Sequence, residues 1–356
     1  MLATPALAKR GEPIEDQYIC VFDKSVAKSN VAKEASRAVK AQGGKLKHVY
    51  FSAMQGFTVN LPAQAVERMK AFDRTIAYCE QDRVVTIPED EAQATAQPGG
   101  STIQATQTVP WGITRVGGGA ITSGATAWVL DSGIDLDHPD LNVDVTRSAS
   151  FVGDPSPNDG NGHGTHVAGT IAACNNGIGV VGVAPCTRVV AVRVLDSSGR
   201  GSNSGIIAGI DYVAANGRPG DIANMSLGGG ASSALDAAVI NAASTGVRFV
   251  LAAGNSAVNA ATTSPARANG PNVFTVSAFD RNGRFATFSN FGNPPIDVAE
   301  PGVSIPSTYL NGGYATLSGT SMAAPHLSGL LLIGSVRNGG RVTNDPDGIP
   351  DIIGVR

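Results

Sequence analysis

Residues 127–133 read Ala-Trp-Val-Leu-Asp-Ser-Gly, an apolar run that stops at an acid and a glycine turn. A short apolar run bounded by a turn signal fits a strand buried on both faces. Working outward, Val189–Leu195, Ile222–Met225, Val247–Ala252 and Val273–Ser277 are runs of the same kind. Helical patterns lie among them at Gly164–Ala173, Ser204–Ala215, Ser233–Ser244 and Ser321–Ser335. Strands alternating with helices predict an α/β fold, a doubly wound parallel sheet covered on both faces. In such sheets ligands bind at the carboxyl ends of the strands. The residues just after each apolar run are therefore the ones to read for chemistry.

Upstream of residue 105 the composition changes. All eight lysines fall there, the last being Lys70, whereas residues 105–356 hold thirteen arginines and no lysine. The net charges of the two parts are +1 and −4. Two compositions imply two domains, separated by the small, polar run 89–106, which reads as a linker. Residues 16–88 form the first domain and 107–356 the second. In the first, Tyr18–Phe22, the two stretches of His48–Leu61 and Ile76–Ile87 read as strands, and Val31–Val39 and Ala63–Phe72 as helices. The order βαββαβ is that of a small ferredoxin-like α+β domain. Residues 1–15 read as a frayed start or the remnant of an export signal, since Ala6-Leu7-Ala8 lacks a long apolar run before it. No stretch is long and apolar enough to span a membrane. A sequence pI near 6.0 without Lys/Arg blocks gives nucleic acid no electrostatic footprint.

Reactive residues follow the apolar runs. Asp131 ends the first of them. His163 lies in Asn161-Gly-His-Gly-Thr-His-Val-Ala-Gly-Thr170, where loop becomes helix. Ser321 opens the last helix in Ser318-Gly-Thr-Ser-Met-Ala-Ala-Pro325, and Asn255 closes Val250-Leu-Ala-Ala-Gly-Asn255. A serine hydroxyl becomes a nucleophile when an imidazole takes its proton and a buried carboxylate fixes that imidazole. A helix N-terminus and a side-chain amide suit the negative charge that then develops. His48, His138, His166 and His326 lack such a context and read as surface, turn or packing residues.

With these blocks, residues 105 to about 335 resemble the subtilisin-like serine proteases, with proteinase K-like features. The chain order Asp131, His163, Ser321 is that of the family. The resemblance implies a secreted serine endopeptidase with Ser321 as nucleophile, His163 as base, Asp131 as its orienting carboxylate and Asn255 as oxyanion donor. It implies that the first domain is an inhibitory propeptide that chaperones folding and is cleaved off in the linker. Peptide or protein substrates would pair with Gly199-Arg200-Gly201 and Ser226-Leu227-Gly228. Ala252, Ala253 and Gly254, with Thr263 near the base, would line an uncharged pocket of broad apolar preference. The protein is expected to be a monomer.

The resemblance also implies structural Ca²⁺. One site would use Gln107, Asp140, the Asn176 side chain and the carbonyls of Cys174, Ile178 and Val180. A second would use Asp297 with the carbonyls of Pro271 and Val273. Oxygen-rich ligation of this kind suits a hard cation. Cys20 and Cys79 fall in the first domain and Cys174 and Cys186 in the second, an even count in each that fits export. A Cys174–Cys186 bond would close a short loop over the cation segment, while pairs of buried free thiols stay open as an alternative. After Ser321 the chain is shorter than the family's, and Asn344–Asp351 reads as turn, so the family's final helix and a firm C-terminal edge are not expected. A peptide ligase built on the same residues, and a catalytically silent binding module, are the competing readings.

Overall fold

The computed structural model describes residues 10–87 and 106–356. The first unit runs β1 (Pro13–Phe22), α1 (Val31–Ala41), β2 (Lys45–Tyr50), β3 (Gly56–Asn60), α2 (Ala63–Phe72) and β4 (Ile76–Thr86). Its strands pair antiparallel in the order β2-β3-β1-β4, the ferredoxin-like arrangement. The expected boundary at 16 moves back to Pro13. The cause is backbone pairing, in which Gly11 donates to the Val84 carbonyl (2.8 Å) and Val84 to the Glu12 carbonyl (2.9 Å). Residues 1–9 and most of the expected linker lie outside the described residues. Thr106 is bridged to Ile178 and so belongs with the second unit.

That unit begins with α3 (Trp111–Val116), β5 (Thr126–Asp131), β6 (Ala149–Ser150), α4 (His163–Ala172), β7 (Arg188–Arg193) and β8 (Arg200–Ser202). It goes on through α5 (Asn203–Asn216), β9 (Ile222–Met225), β10 (Gly229–Gly230), α6 (Ser233–Ala243), β11 (Arg248–Ala252) and β12 (Thr263–Ser264). The rest is β13 (Val273–Phe279), β14 (Ile296–Pro301), β15 (Ile305–Tyr309), β16 (Gly313–Leu317), α7 (Thr320–Ile333), β17 (Arg337–Arg341) and β18 (Ile352–Val355). Among the described residues nine strands form one sheet, β17-β18-β14-β13-β11-β9-β5-β7-β6, parallel except for β17. Alternation along β5 shows why it is buried on both sides. Trp128 and Leu130 pack with Ile206, Ile210, Leu235 and Val239 of α5 and α6, whereas Ala127 and Val129 pack with Val167, Ile171, Met322 and Leu327 of α4 and α7.

The units share a core. One face of the first sheet packs Cys20, Phe57 and Val59 against α1 and α2. The other face sends Ile19, Tyr50 and Val85 into the cluster around α5 and α6. Burying a side chain of Ile or Val size contributes roughly 1.5–3 kcal/mol. Polar contacts fix the docking. The Tyr50 hydroxyl donates to the Ser204 carbonyl (3.0 Å), and the Asp211 carboxylate accepts the N–H groups of Phe51 (3.0 Å), Ser52 (2.5 Å) and Ala53 (2.7 Å). Glu80 and Asp82 lie two apart on β4 and therefore share a face. Glu80 accepts the Ser233 N–H (3.1 Å) and the Ser232 hydroxyl at the start of α6, and Asp82 accepts the Ser204 N–H (3.1 Å) at the start of α5. Carboxylates at helix N-termini satisfy orphan donors and meet favourable dipole charge.

Both cysteine pairs are bonded, Cys20–Cys79 between register partners of β1 and β4 and Cys174–Cys186 across twelve residues. A loop of that length contributes up to about 3 kcal/mol on the chain-entropy account. The C-terminal edge is firmer than the sequence suggests. β18 pairs in parallel with β14, and Val342 and Ile353 are buried against Phe279 and Phe285. Asp351 accepts the Ser277 hydroxyl (2.5 Å) and the Asn293 amide (2.8 Å). Beneath this edge Glu300 of β14 is fully buried, and neither carboxylate oxygen has a hydrogen-bond partner among the described residues. A Cβ on the neighbouring Gly354 would sit 2.2 Å from Glu300 Oε1. No helix of the described residues is long and apolar enough to cross a membrane.

Candidate active site

β5 delivers Asp131 to the carboxyl edge of the sheet with no exposed surface. Its Oδ1 lies 2.7 Å from His163 Nδ1 and accepts the Ser132 N–H at 2.7 Å. Burial pushes this carboxyl up, while the imidazole and these hydrogen bonds pull it back down. The loop that aims His163 is gathered by Asp159, which accepts the N–H groups of Asn161 (2.9 Å), Gly162 (2.9 Å) and Thr165 (3.0 Å) and the hydroxyls of Ser132 (2.9 Å) and Thr165 (2.6 Å). Gly162 has φ +105°, and a Cβ there would fall 2.3 Å from the Tyr309 ring. Only glycine turns the chain into α4 at this point.

The other histidines of this unit face backbone carbonyls. His166 Nε2 lies 2.9 Å from the Ile305 carbonyl, His326 Nδ1 2.8 Å from that of Met322, and His138 Nε2 3.0 Å from that of Gly313. Burial holds His166 down to about 3 and His326 to about 4, so both are neutral near neutral pH. His48, half-buried on β2, is likewise held down to about 4 by burial.

Ser321 is the second residue of α7 and is buried. Its Oγ donates to the Ser226 carbonyl at 3.2 Å, and its own carbonyl accepts the Ser226 hydroxyl at 2.8 Å. Asn255 is oriented by Thr320. Its Oδ1 accepts both the Thr320 N–H (2.9 Å) and hydroxyl (2.7 Å), and Thr320 Oγ1 accepts the Gly254 N–H (3.0 Å). With the oxygen engaged there, the NH₂ group points away from Thr320. Asn290 clamps the same loop, donating to the Ala253 carbonyl (2.8 Å) and accepting the N–H groups of Ser256 and Val258 (both 3.1 Å). Gly254 has φ +104°, and a Cβ on it would come 2.5 Å from Asn290 Nδ2.

A cleft crosses this edge, and β4 lies in it. Val84, Val85 and Thr86 pair antiparallel with Ser202, Gly201 and Arg200, and Thr86 bridges Gly228 on the other side. Ile87 donates to the Gly199 carbonyl at 2.9 Å. Farther along, Gly229 and Gly230 pair with Ser264 and Thr263, whose hydroxyl donates to the Ala260 carbonyl (3.1 Å), while Ala252 ends β11 and Ala253 follows it.

Residues 122–338 match the family described as the subtilase family. The chain belongs to the subtilases. It is therefore a serine peptidase, a hydrolase. It is 39% identical over 322 residues to the subtilisin-like serine protease AsES of Sarocladium strictum, covering 89% of this chain and 79% of that protein. It is 38% identical over 348 residues to the M-protease of Shouchella clausii, covering 94% and 84% respectively. A match of that length takes in most of both units. Among solved structures, a cold adapted subtilisin-like serine proteinase superposes with a TM-score of 0.61 at 38% identity, covering 68% of this chain and 96% of that one.

This subtilase also contains an oxygen-lined cage. The Cys174 (2.8 Å), Ile178 (3.0 Å) and Val180 (3.4 Å) carbonyls and Asn176 Oδ1 (3.4 Å) converge on the side-chain amide of Gln107. Asp140 Oδ2 accepts the Val180 N–H (3.2 Å) and Tyr314 hydroxyl (3.3 Å), while its buried Oδ1 has no donor within hydrogen-bonding distance among the described residues. Burial pushes the Asp140 carboxyl up to about 6. Oxygens converging from loop carbonyls, an amide and one orphaned carboxylate fit a hard cation, and a half-turn of the Gln107 amide would add a further oxygen. No cluster of three or more His, Cys, Asp and Glu side chains able to hold a metal occurs among the described residues, and this cage needs none. Asp297 differs. It is exposed, one oxygen accepts the Thr275 N–H (2.8 Å) two residues beyond Val273, and neither is a buried orphan.

Sequence reasoning passed over Thr320, Asn290, Glu80 and Asp82. Thr320 carried a signal, being the residue between the turn glycine and Ser321, and Glu80 and Asp82 carried another in their period-two spacing. Asn290 carried none.

Proposed function

We propose that the chain is the precursor of a secreted serine endopeptidase that works through an acyl-enzyme. Ser321 Oγ attacks the scissile carbonyl as neutral His163 takes its proton, and His163 then returns that proton to the leaving amine. Asp131 holds the imidazole through Nδ1 and stabilises the imidazolium. The Asn255 NH₂ and the Ser321 N–H donate to the oxyanion. Water repeats the sequence on the acyl-enzyme.

The observation that carries this reading is the strand Val84–Ile87 in the cleft. It pairs on both edges as an added strand and runs toward Ser226, whose carbonyl holds the Ser321 hydroxyl. A peptide substrate would take the same path along Gly199–Gly201 and Ser226–Gly228. The small walls Ala252, Ala253 and Gly254, with Thr263, suit uncharged apolar side chains before the scissile bond. The first unit acts as inhibitor by filling the cleft and as folding template by capping α5 and α6. Two disulfides fit an oxidising compartment outside the cytosol. The enzyme acts as a monomer, with protein substrates as its partners. The test is a fluorophosphonate probe with intact-mass analysis of the purified protein. Expected are covalent labelling on Ser321 and a chain cut between Ile87 and Thr106. An unlabelled, uncut chain would overturn the proposal.

Thr320→Val keeps the N–H but removes the hydroxyl that holds Asn255. We expect kcat to fall about tenfold with KM little changed, the pattern of a contact that matters in the transition state. Equal kcat in steady-state assays would remove Thr320 from this role.

In the oxygen cage Ca²⁺ would be held by Gln107, Asp140, Asn176 and the carbonyls of Cys174, Ile178 and Val180. It would supply a structural crosslink between the segment after the linker and the loop after α4. At 100 times its Kd a bound ion adds about 2.7 kcal/mol to stability. Calcium should therefore raise the melting temperature of the wild type and much less that of Asp140→Asn. Equal calcium shifts in calorimetry would place the ion elsewhere.

A further inference from the structure

We propose that Asn176–Gly177 is a self-modification site, where Asn176 converts to aspartate and isoaspartate when the oxygen cage is empty and stays intact while the cage holds calcium. The protection rests on the calcium reading above, whereas the conversion rests on the chain alone. Seven Asn-Gly pairs occur in the sequence, with their asparagines at 161, 176, 216, 269, 282, 311 and 338. Glycine has no β-carbon to shield its nitrogen from the preceding side chain. These pairs are therefore the places where an asparagine is open to attack by the next peptide nitrogen.

The structure separates them. In four of the other six the glycine nitrogen is tied down. Gly162 donates to Asp159 Oδ1 (2.9 Å), Gly217 to the Val213 carbonyl (2.7 Å), Gly283 to that of Asp280 (2.9 Å) and Gly312 to Asp135 Oδ2 (2.9 Å). Each must give up that bond before it attacks. Asn176 and Gly177 are both exposed, and a Cβ on Gly177 would meet nothing within 4 Å. The Ile178 N–H donates to Asn176 Oδ1 at 3.1 Å, an Asx turn that folds the side chain back over the intervening Gly177 peptide. Gln107 touches both reacting groups. Its Oε1 accepts the Gly177 N–H (3.3 Å), and its Nε2 donates to Asn176 Oδ1 (3.4 Å). Both bonds are long, so neither holds its group firmly. The acceptor faces the proton that the nucleophile must lose, and the two donors at Oδ1 favour the negative charge that develops there.

Water is the only co-reactant the chemistry needs. The Gly177 nitrogen bonds to Asn176 Cγ, the Cγ–Nδ2 bond breaks, and Nδ2 leaves as ammonia with the proton that Gly177 gives up. Water then opens the five-membered imide at either carbonyl. Opening at Cγ gives aspartate, whose oxygen keeps its place in the cage. Opening at the main-chain carbonyl gives isoaspartate, which routes the chain through the side chain and adds one backbone carbon. The Cys174–Cys186 bond ties the ends of this loop together, so the added carbon displaces the Ile178 and Val180 carbonyls from the cage. Gln107 closes the site when the cage is filled. The half-turn that directs its Oε1 at a bound ion would take that oxygen from the Gly177 N–H, while Asn176 Oδ1 becomes a ligand itself. Only cation-free molecules then react, about one in a hundred at 100 times the Kd.

The experiment incubates the full chain carrying Ser321→Ala, which cannot digest itself, in mildly alkaline buffer well below its melting temperature, with calcium chloride or with EGTA. Peptide mapping by mass spectrometry follows amide loss at each Asn-Gly pair, and isoaspartyl methyltransferase counts isoaspartate. Asn338 is the reference, since its Oδ1 accepts the Gly340 N–H (2.9 Å) in the same manner but it lies on β17, outside the cage. Asn161, whose Gly162 nitrogen is tied, reports any unfolding. In EGTA Asn176 should convert, and saturating calcium should slow it by up to about 100-fold while Asn338 keeps its rate. The calcium shift in melting temperature should shrink in proportion to the isoaspartate formed. Gly177→Ala puts a β-carbon beside the nitrogen and should slow Asn176 in EGTA. Should the strain at its φ of +89° unfold that variant, the comparison of calcium with EGTA still decides. An Asn176 that stays intact in EGTA would overturn the proposal. Equal rates with and without calcium, in a protein whose melting temperature calcium raises, would do the same. No calcium shift in melting at all would overturn the calcium reading, and the protection with it.

Discussion

Ser321→Ala should abolish hydrolysis and leave the chain uncut between Ile87 and Thr106. For subtilisin, a relative within this family, loss of the nucleophile is known to cost on the order of 10⁶ in kcat. The substitution removes the hydrogen bond from Oγ to the Ser226 carbonyl (3.2 Å) and keeps the bond from the Ser226 hydroxyl to the backbone of residue 321 (2.8 Å). The fold should therefore survive, and calorimetry of the variant should show a cooperative melt. Turnover of a peptide anilide and intact mass are the decisive readouts. A pure variant that is cut at the wild-type rate would mean that the cleavage is not its own.

The second large effect is expected at Glu300 and concerns stability against pH. This carboxyl is fully buried, neither oxygen is hydrogen-bonded among the described residues, and burial raises it well above the ordinary glutamate value, only partly offset by Arg115. Below the ordinary value both folded and unfolded chains carry the proton, and the group adds no pH dependence. As pH rises past it the unfolded chain ionises while the folded one retains its proton, so stability falls with pH up to the folded value. Glu300→Gln removes the ionisation and keeps the shape. We expect its melting temperature to exceed that of the wild type at pH 9 by several degrees, with the difference shrinking toward pH 4. A gap that is independent of pH would mean that the carboxyl is already ionised in the folded protein.

Much of this was legible because it is local. Asp131, His163, Asn255 and Ser321 each follow an apolar run or open a helix, and such places lie at the carboxyl edge of a parallel sheet whatever the loops do. The cage residues were legible only through the resemblance, since carbonyls of Cys174, Ile178 and Val180 have no side-chain signature. Other features depend on partners far away in sequence. Glu80 and Asp82 look like ordinary surface acids on a strand until α5 and α6 are docked against them, more than a hundred residues later. Arg337-Asn-Gly-Gly-Arg341 has turn composition and is a strand because β18 gives it a template, a case of tertiary context overriding propensity. Glu300 gave no sign of its burial, which comes from β18 closing over β14.

The strand lying in the cleft also determines what a cut in the chain can accomplish. Breaking one peptide bond between Ile87 and Thr106 need remove none of the contacts made by Tyr50, Glu80, Asp82 and Val85. What changes is molecularity. In the intact chain the first unit is covalently joined to the second, so it meets its cleft at an effective concentration rather than by encounter between separate molecules. Once the tether is cut, the same contacts form a bimolecular complex whose survival depends on how many copies share a volume. Inside a crowded secretory compartment the fragments would remain together, and after release into a large volume they would part without any further signal. On the proposed reading, cleavage would arm the enzyme and dilution would fire it.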